Sequence, residues 1–98
     1  MEKTGEKNAP ENFTGSTFAH SRLKNTSLSK GNFTNANLSD ITLKSVESRS
    51  TNYTDAKLTS ETLIAVDFHG SDFCRADLTG IHCERVNFSG AILTDAKV

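Results

Sequence analysis

Large apolar side chains recur at every fifth position of this chain, beginning at Phe13. The series is Phe13, Phe18, Leu23, Leu28, Phe33, Leu38, Leu43, Ser48, Tyr53, Leu58, Leu63, Phe68, Phe73, Leu78, Cys83, Phe88, Leu93 and Val98, and only Ser48 and Cys83 depart from it. Every Phe, every Leu and the single Tyr fall in this phase. Two residues before each of these centres lies a second restricted phase of small or β-branched residues, from Ser16, Ser21 and Thr26 through to Ala91 and Ala96. Its exceptions are Glu11 and Glu61. The remaining three phases are polar, with Ile64 and Ile92 as their large aliphatic residues. A helix repeats its apolar face every 3.6 residues and a strand every 2, so neither fits a strict period of five. The pattern predicts a repeat architecture in which two of every five side chains point inward and three point outward.

The triplets Ala36-Asn37-Leu38, Ala76-Asp77-Leu78, Val66-Asp67-Phe68, Ser71-Asp72-Phe73 and Val86-Asn87-Phe88 resemble the A(D/N)LXX motif of the pentapeptide-repeat family. The resemblance runs from residue 11 to residue 98 without an insertion. It implies an all-β fold, a right-handed parallel β-helix of square cross-section, with one pentapeptide per side and about four coils of 20 residues.

A square coil requires residues 20 apart to stack and to look alike, and the sequence can be tested for this. One side reads Phe13, Phe33, Tyr53, Phe73, Leu93, preceded by Asn12, Asn32, Asn52, Asp72 and followed by Thr14, Thr34, Thr54, Cys74, Thr94. The second reads Phe18, Leu38, Leu58, Leu78, Val98, the third Leu23, Leu43, Leu63, Cys83, and the fourth Leu28, Ser48, Phe68, Phe88. A period of five alone would not give the sides separate identities. Gly15, Gly70, Gly80 and Gly90 share the phase two after the centre, where a corner could call for positive φ.

Two inward positions break the rule. Ser48 replaces a large apolar residue between Leu28 and Phe68, and Glu61 stands between Ile41 and Ile81. Val46–Ser50 is the weakest repeat. A functional notch is one reading of the two positions; a local bulge, a snorkelling Glu or tolerated wear is the preferred one, since isolated buried carboxylates are costly and find water or a partner. The expected core comprises Phe13, Phe33, Tyr53, Phe73, Leu93, Phe18, Leu38, Leu58, Leu78, Leu23, Leu43, Leu63, Phe68 and Phe88. Residues 1–10, polar and charged, are expected to be a disordered leader, and 11–98 the β-helix. The coil edge at Val98 is expected either to continue in a longer protein or to stack on a second copy, rather than to end bare or frayed.

Composition narrows the partners. Net charge is −1 over 98 residues, which gives no general attraction to nucleic acid or acidic membranes. No apolar run is long enough to span a bilayer, and the default address is cytoplasmic, with a secreted effector or a lumenal protein as alternatives. Asn-x-Ser/Thr triplets occur at Asn12, Asn25, Asn32, Asn37, Asn52 and Asn87; all but Asn25 follow from the repeat grammar.

The search for chemistry yields no phosphate loop, CxxC pair, HExxH or nucleophile elbow. His69, Cys74, His82 and Cys83 are soft ligands close in sequence, but a square coil sends them to different sides, which opposes both a metal centre and a Cys74–Cys83 disulfide. Cys83 reads as a small core residue. Asp67 and His69 flank Phe68 on one outer strip with Arg49 a coil away, and a solvated ion-pair strip is the expected reading. Asp55/Arg75/Asp95 and Lys57/Asp77/Lys97 alternate in sign, whereas Lys24 and Lys44, near Arg22, form a basic strip and Glu47 and Asp67 an acidic pair. No cofactor, metal or catalytic residue is expected. The reading is a non-enzymatic scaffold or interaction module for a protein partner of unknown identity. The family resemblance adds two alternatives. One is a DNA mimic acting on DNA gyrase or another type II topoisomerase, which the neutral charge and short length disfavour. The other is an adaptor segment of a larger bacterial effector.

Overall fold

Stacking at intervals of 20 governs the described residues of the computed structural model, 2–4 and 12–98. Five short strands, β1 (Glu2–Thr4), β2 (Arg22–Lys24), β3 (Thr42–Lys44), β4 (Thr62–Ile64) and β5 (His82–Glu84), form one parallel sheet in chain order. Leu23, Leu43, Leu63 and Cys83 are register partners along it. The other three sides are too short to count as strands, yet they carry the same ladder. Parallel bridges join Asn12, Asn32, Asn52, Asp72 and Ile92 on the first side, Thr17, Asn37, Lys57, Asp77 and Lys97 on the second, and Ser27, Glu47, Asp67 and Asn87 on the fourth. The fold is a right-handed quadrilateral β-helix with no helices among its described residues.

The bonding unit of one pentapeptide explains the period. The N–H of a centre residue donates to the coil that follows, as Phe33 N does to Asn52 O at 2.7 Å and Tyr53 N to Asp72 O at 2.7 Å. The corner then closes on itself, with Ala36 N donating to Phe33 O at 2.9 Å and Ala56 N to Tyr53 O at 3.0 Å. Side chains of the second restricted phase stand inside these corners, and Ala36, Ala56 and Ala76 are each buried. Small residues recur there because a corner leaves little room behind the backbone.

Positive φ is the general rule at these corners. Among the described residues it occurs at thirteen non-glycine positions, including Asn25, Asn35, Asp40, Ala65 and Arg75, as well as at Gly15, Gly70, Gly80 and Gly90. Asn and Asp tolerate this region and glycine enters it freely, while a Cβ-bearing residue without a local hydrogen bond is strained by about 1–2 kcal/mol. Ala65, at φ 55°, is such a residue. Ala65→Gly is therefore expected to raise stability by about 0.5–1 kcal/mol and Ala65→Val to lower it by about 1–2 kcal/mol, read from urea midpoints. A Gly variant less stable than the parent would contradict the corner assignment.

The inward columns fill the rod. Phe13–Phe33, Phe33–Tyr53 and Tyr53–Phe73 stack at centroid distances of 4.9, 5.3 and 5.0 Å. Phe68 meets Phe73 edge-on at 5.1 Å and stacks on Phe88 at 5.3 Å. Leu23, Phe33, Leu38, Leu43, Tyr53, Leu58, Leu63, Phe68, Phe73 and Leu78 are buried. Burial fades toward the ends: Phe13, Phe18 and Phe88 are only partly buried. Leu93 and Cys83, assigned to the core by phase, are exposed, because the last coil of the structure is covered on one face only.

Of residues 1–10, the structure describes Glu2–Thr4. Glu2–Thr4 is strand β1, paired in parallel with β2 so that Lys3 is in register with Leu23. The β2 backbone offers a row of N–H and C=O groups to any segment that passes it, whatever its side chains. The rest of the expected leader lies outside the described residues.

Candidate functional surfaces and the polar core

Outward residues are held by their own repeat. In the first row the Asn32 side-chain oxygen accepts from Thr34 N at 3.0 Å and from Thr34 Oγ1 at 2.7 Å. Asn37 does the same for Ser39, Asn52 accepts from Thr54 N, and Asp72 from Cys74 N. The Asn-x-Thr triplets are thus the signature of a turn, and Asn25, outside that grammar, is a positive-φ corner. Cys74 takes the place of a threonine: its thiol hydrogen-bonds Asp72, which lowers the Asp72 pKa and raises that of the thiol. Thr79 likewise holds Asp77 below its ordinary value.

The charged rows behave as the alternation of signs requires. Arg75 makes a two-pronged contact with Asp55, Nε to Oδ1 at 2.9 Å and Nη2 to Oδ2 at 3.1 Å. His20 Nδ1 lies 2.8 Å from Asp40 Oδ2 one coil on. Lys24 and Lys44 are direct register partners of like sign on β2 and β3. With Arg22, Leu23 and Thr42 they line a shallow groove of about 210 Å³.

The fourth side carries the most connected surface. Asp67 accepts from the His69 backbone N–H at 2.9 Å and from Asn87 Nδ2 at 3.2 Å, and Arg49 Nε stands 3.8 Å from its other oxygen. The His69 ring turns away to Ser89 Oγ, 2.9 Å from Nδ1. Asp67 and His69 are therefore neighbours whose side chains engage different partners, in keeping with an ion-pair strip. His69, Cys74, His82 and Cys83 lie on different sides or faces, and both cysteines are free thiols. Among the described residues no three His, Cys, Asp or Glu side chains gather to hold a metal ion, and no helix is long and apolar enough to cross a membrane.

The two core irregularities differ from each other. Ser48, fully buried, contacts Tyr53 Oη at 2.6 Å and donates to Thr51 Oγ1 at 2.9 Å. Thr51 Oγ1 donates to Leu28 O at 3.0 Å. Ser71, from the following coil, enters the same corner: its hydroxyl donates to Ser48 O and accepts from Thr51 N. Ser48 is small because the tyrosine hydroxyl occupies the space a leucine would fill. The signal was present in the sequence, in the only tyrosine of an aromatic column five residues after the only serine in the centre phase. Ser48→Leu is expected to destabilise by about 2–3 kcal/mol, through overpacking and an unpaired Tyr53 hydroxyl. Combining it with Tyr53→Phe should recover more than half of that loss. Additive losses in the double-mutant cycle, measured by chemical denaturation, would contradict the pairing.

Glu61 has no such answer. It is 1 % exposed and neither carboxyl oxygen has a hydrogen-bond partner. Burial drives its pKa well above the carboxylate range, and its proximity contributes to the raised values of Tyr53 and Cys83, both of which owe most of their shift to burial. The side chain does not reach the surface, and no protein group hydrogen-bonds to it. The corner phase points it inward, between Ile41 and Ile81.

Square coils, one pentapeptide per side and a 20-residue register define a solenoid repeat protein. The chain belongs to the pentapeptide-repeat family: the model for pentapeptide repeats matches residues 12–44, 49–80 and 67–98, in eight copies. The gap between the first two matches, 45–48, includes Ser48 of the weakest repeat, yet the ladder continues through it, with Ser48 N donating to Asp67 O at 2.7 Å. Solved structures share the fold. The pentapeptide repeat protein Rfr23 from the cyanobacterium Cyanothece 51142 is 21% identical, with a TM-score of 0.63 over 98% of this chain and 81% of that one. QnrB1, a plasmid-mediated fluoroquinolone resistance protein, is 20% identical, with a TM-score of 0.61 over 94% of this chain and 49% of that one. This chain thus spans about half the length of the QnrB1 chain. No curated protein matches in sequence.

Proposed function

We propose that this protein is a non-catalytic recognition module that binds a partner protein through one of its flat sides. The observation that carries this reading is the pre-ordering of the outward rows. On the fourth side Arg49, Asp67, His69, Asn87 and Ser89 are already tied to one another across coils. Side chains fixed before contact lose little freedom on binding, so a flat polar surface can gain affinity without a deep cleft. Charge argues against mimicry of DNA. The rows at Asp55/Arg75 and Lys57/Asp77/Lys97 mix signs, and Lys24 stacks on Lys44. A supercoiling assay with DNA gyrase is expected to show no effect of micromolar protein.

The reading is tested by changing the charge of one side at a time. A partner identified by capture on the wild-type chain is titrated calorimetrically with four variants: Thr34→Arg, Lys57→Glu, Lys44→Glu and Arg49→Glu, one per side. One variant should weaken binding at least tenfold while the other three keep it. Unchanged affinity in all four would overturn it.

A further inference from the structure

We propose that Glu61 is a proton-operated latch on the coil that follows it: residues 79–98 stay docked while its carboxyl is neutral and lift away when it ionises. The geometry leaves an anion no other relief. Both oxygens are without partners in a corner between Ile41 and Ile81. The backbone of the residue is pinned from both sides, since Thr62 N donates to Ile41 O at 3.0 Å and His82 N to Glu61 O at 2.8 Å. Water must therefore enter by displacing one of the two neighbouring coils.

The two coils are unequal. In the one before, Ile41, Leu43, Tyr53 and Leu58 are each no more than 2 % exposed. In the one after, Ile81, Val86 and Phe88 are only partly buried and Cys83 and Leu93 are exposed. The following coil is held by the bonds from His82 N, Asn87 N, Ile92 N and Lys97 N to the coil before it, and by those its carbonyls accept from Ala65 N, Phe68 N, Gly70 N, Phe73 N, Arg75 N and Leu78 N. In the 98-residue chain it has less apolar contact to lose, and so is the wall that gives way there. Lifting it uncovers the edge formed by Leu63, Phe68, Phe73 and Leu78.

The groups around Glu61 are few. Tyr53 faces it from the preceding coil and Cys83 from β5. The charges on the adjoining strands and second side, Lys44 on β3, His82 and Glu84 on β5, and Lys57 and Asp77, are carried by outward positions. None of them offers the buried carboxylate a counter-charge.

Amide hydrogen exchange on the 98-residue chain between pH 4 and 9, corrected for intrinsic rates, tests the latch. Protection at His82, Asn87, Ile92 and Lys97 should fall as pH rises above the ordinary carboxylate value, by up to tenfold per pH unit for a single linked proton. Protection at Thr42 and Glu47, in the preceding coil, should hold. Glu61→Gln and Glu61→Ile should each abolish the pH dependence at the four sites. A flat wild-type profile, the same fall in both variants, or an equal fall at Thr42 and Glu47 would each overturn the proposal.

Discussion

Leu58→Asp is expected to leave the chain unfolded at 25 °C, with no cooperative transition by circular dichroism. Leu58 is fully buried, between Leu38 and Leu78 of the second side. Removing a buried leucine side chain costs about 2–5 kcal/mol through lost contacts and a residual cavity. Placing a short carboxyl in that stack adds the cost of an unpaired polar group, about 1–3 kcal/mol or more. A domain of this size has about 5–15 kcal/mol in total. The buried Glu61 is no precedent, because it stands in the corner phase and leaves the four large apolar columns intact. The neighbouring Lys57→Ala is expected to change stability by less than about 1 kcal/mol, since Lys57 points outward. Similar unfolding midpoints for the two variants would contradict the inward and outward assignment.

The second large effect has the opposite sign. Glu61→Ile completes the column Ile41–Glu61–Ile81 and is expected to stabilise the protein by about 1–3 kcal/mol at neutral pH, the cost of a buried polar group left without a hydrogen bond. The pH dependence follows from linkage. The folded-state pKa of Glu61 lies above its unfolded value of 4.5. The folded state therefore holds its proton more tightly, and this contribution is fully present below about pH 4.5. It is lost as pH rises through the raised folded value, at about 1.4 kcal/mol per unit. The isoleucine variant lacks that slope, so its advantage should grow with pH across the window. Denaturation midpoints for both proteins at several pH values check the sign. An advantage that is constant, or larger in acid, would contradict it.

Much of this architecture was legible because each pentapeptide repeats the same physical problem. A centre must fill the rod, a corner must clear the backbone, and an Asn or Asp must hold the turn, so residue types recur in phase and the fourth-order stacking shows through as columns. What failed to show depended on neighbours. Phase gives Leu93 and Cys83 an inward direction but not a coil to cover them. Glu61 could have curled outward; only the pinning of its backbone and the packing of Ile41 and Ile81 settle its burial. The left-handed corners were visible at four glycines, while Lys30, Ala65 and Arg75 adopt the same conformation without a residue that announces it. Strand β1 left no apolar pattern, because its pairing with β2 rests on backbone groups. The fourth-side network of Arg49, Asp67, His69, Asn87 and Ser89 was readable as a strip, but which side chain engages which was set by rotamers.

The account rests on a chain that returns over itself every 20 residues, and proton–proton nuclear Overhauser contacts between aromatic rings test that most directly. Phe33 and Tyr53 stack at 5.3 Å and Tyr53 and Phe73 at 5.0 Å, so cross-peaks linking Phe33 to Tyr53 and Tyr53 to Phe73 are expected. Spectra of the folded protein in which the Tyr53 ring contacts neither Phe33 nor Phe73 would contradict it.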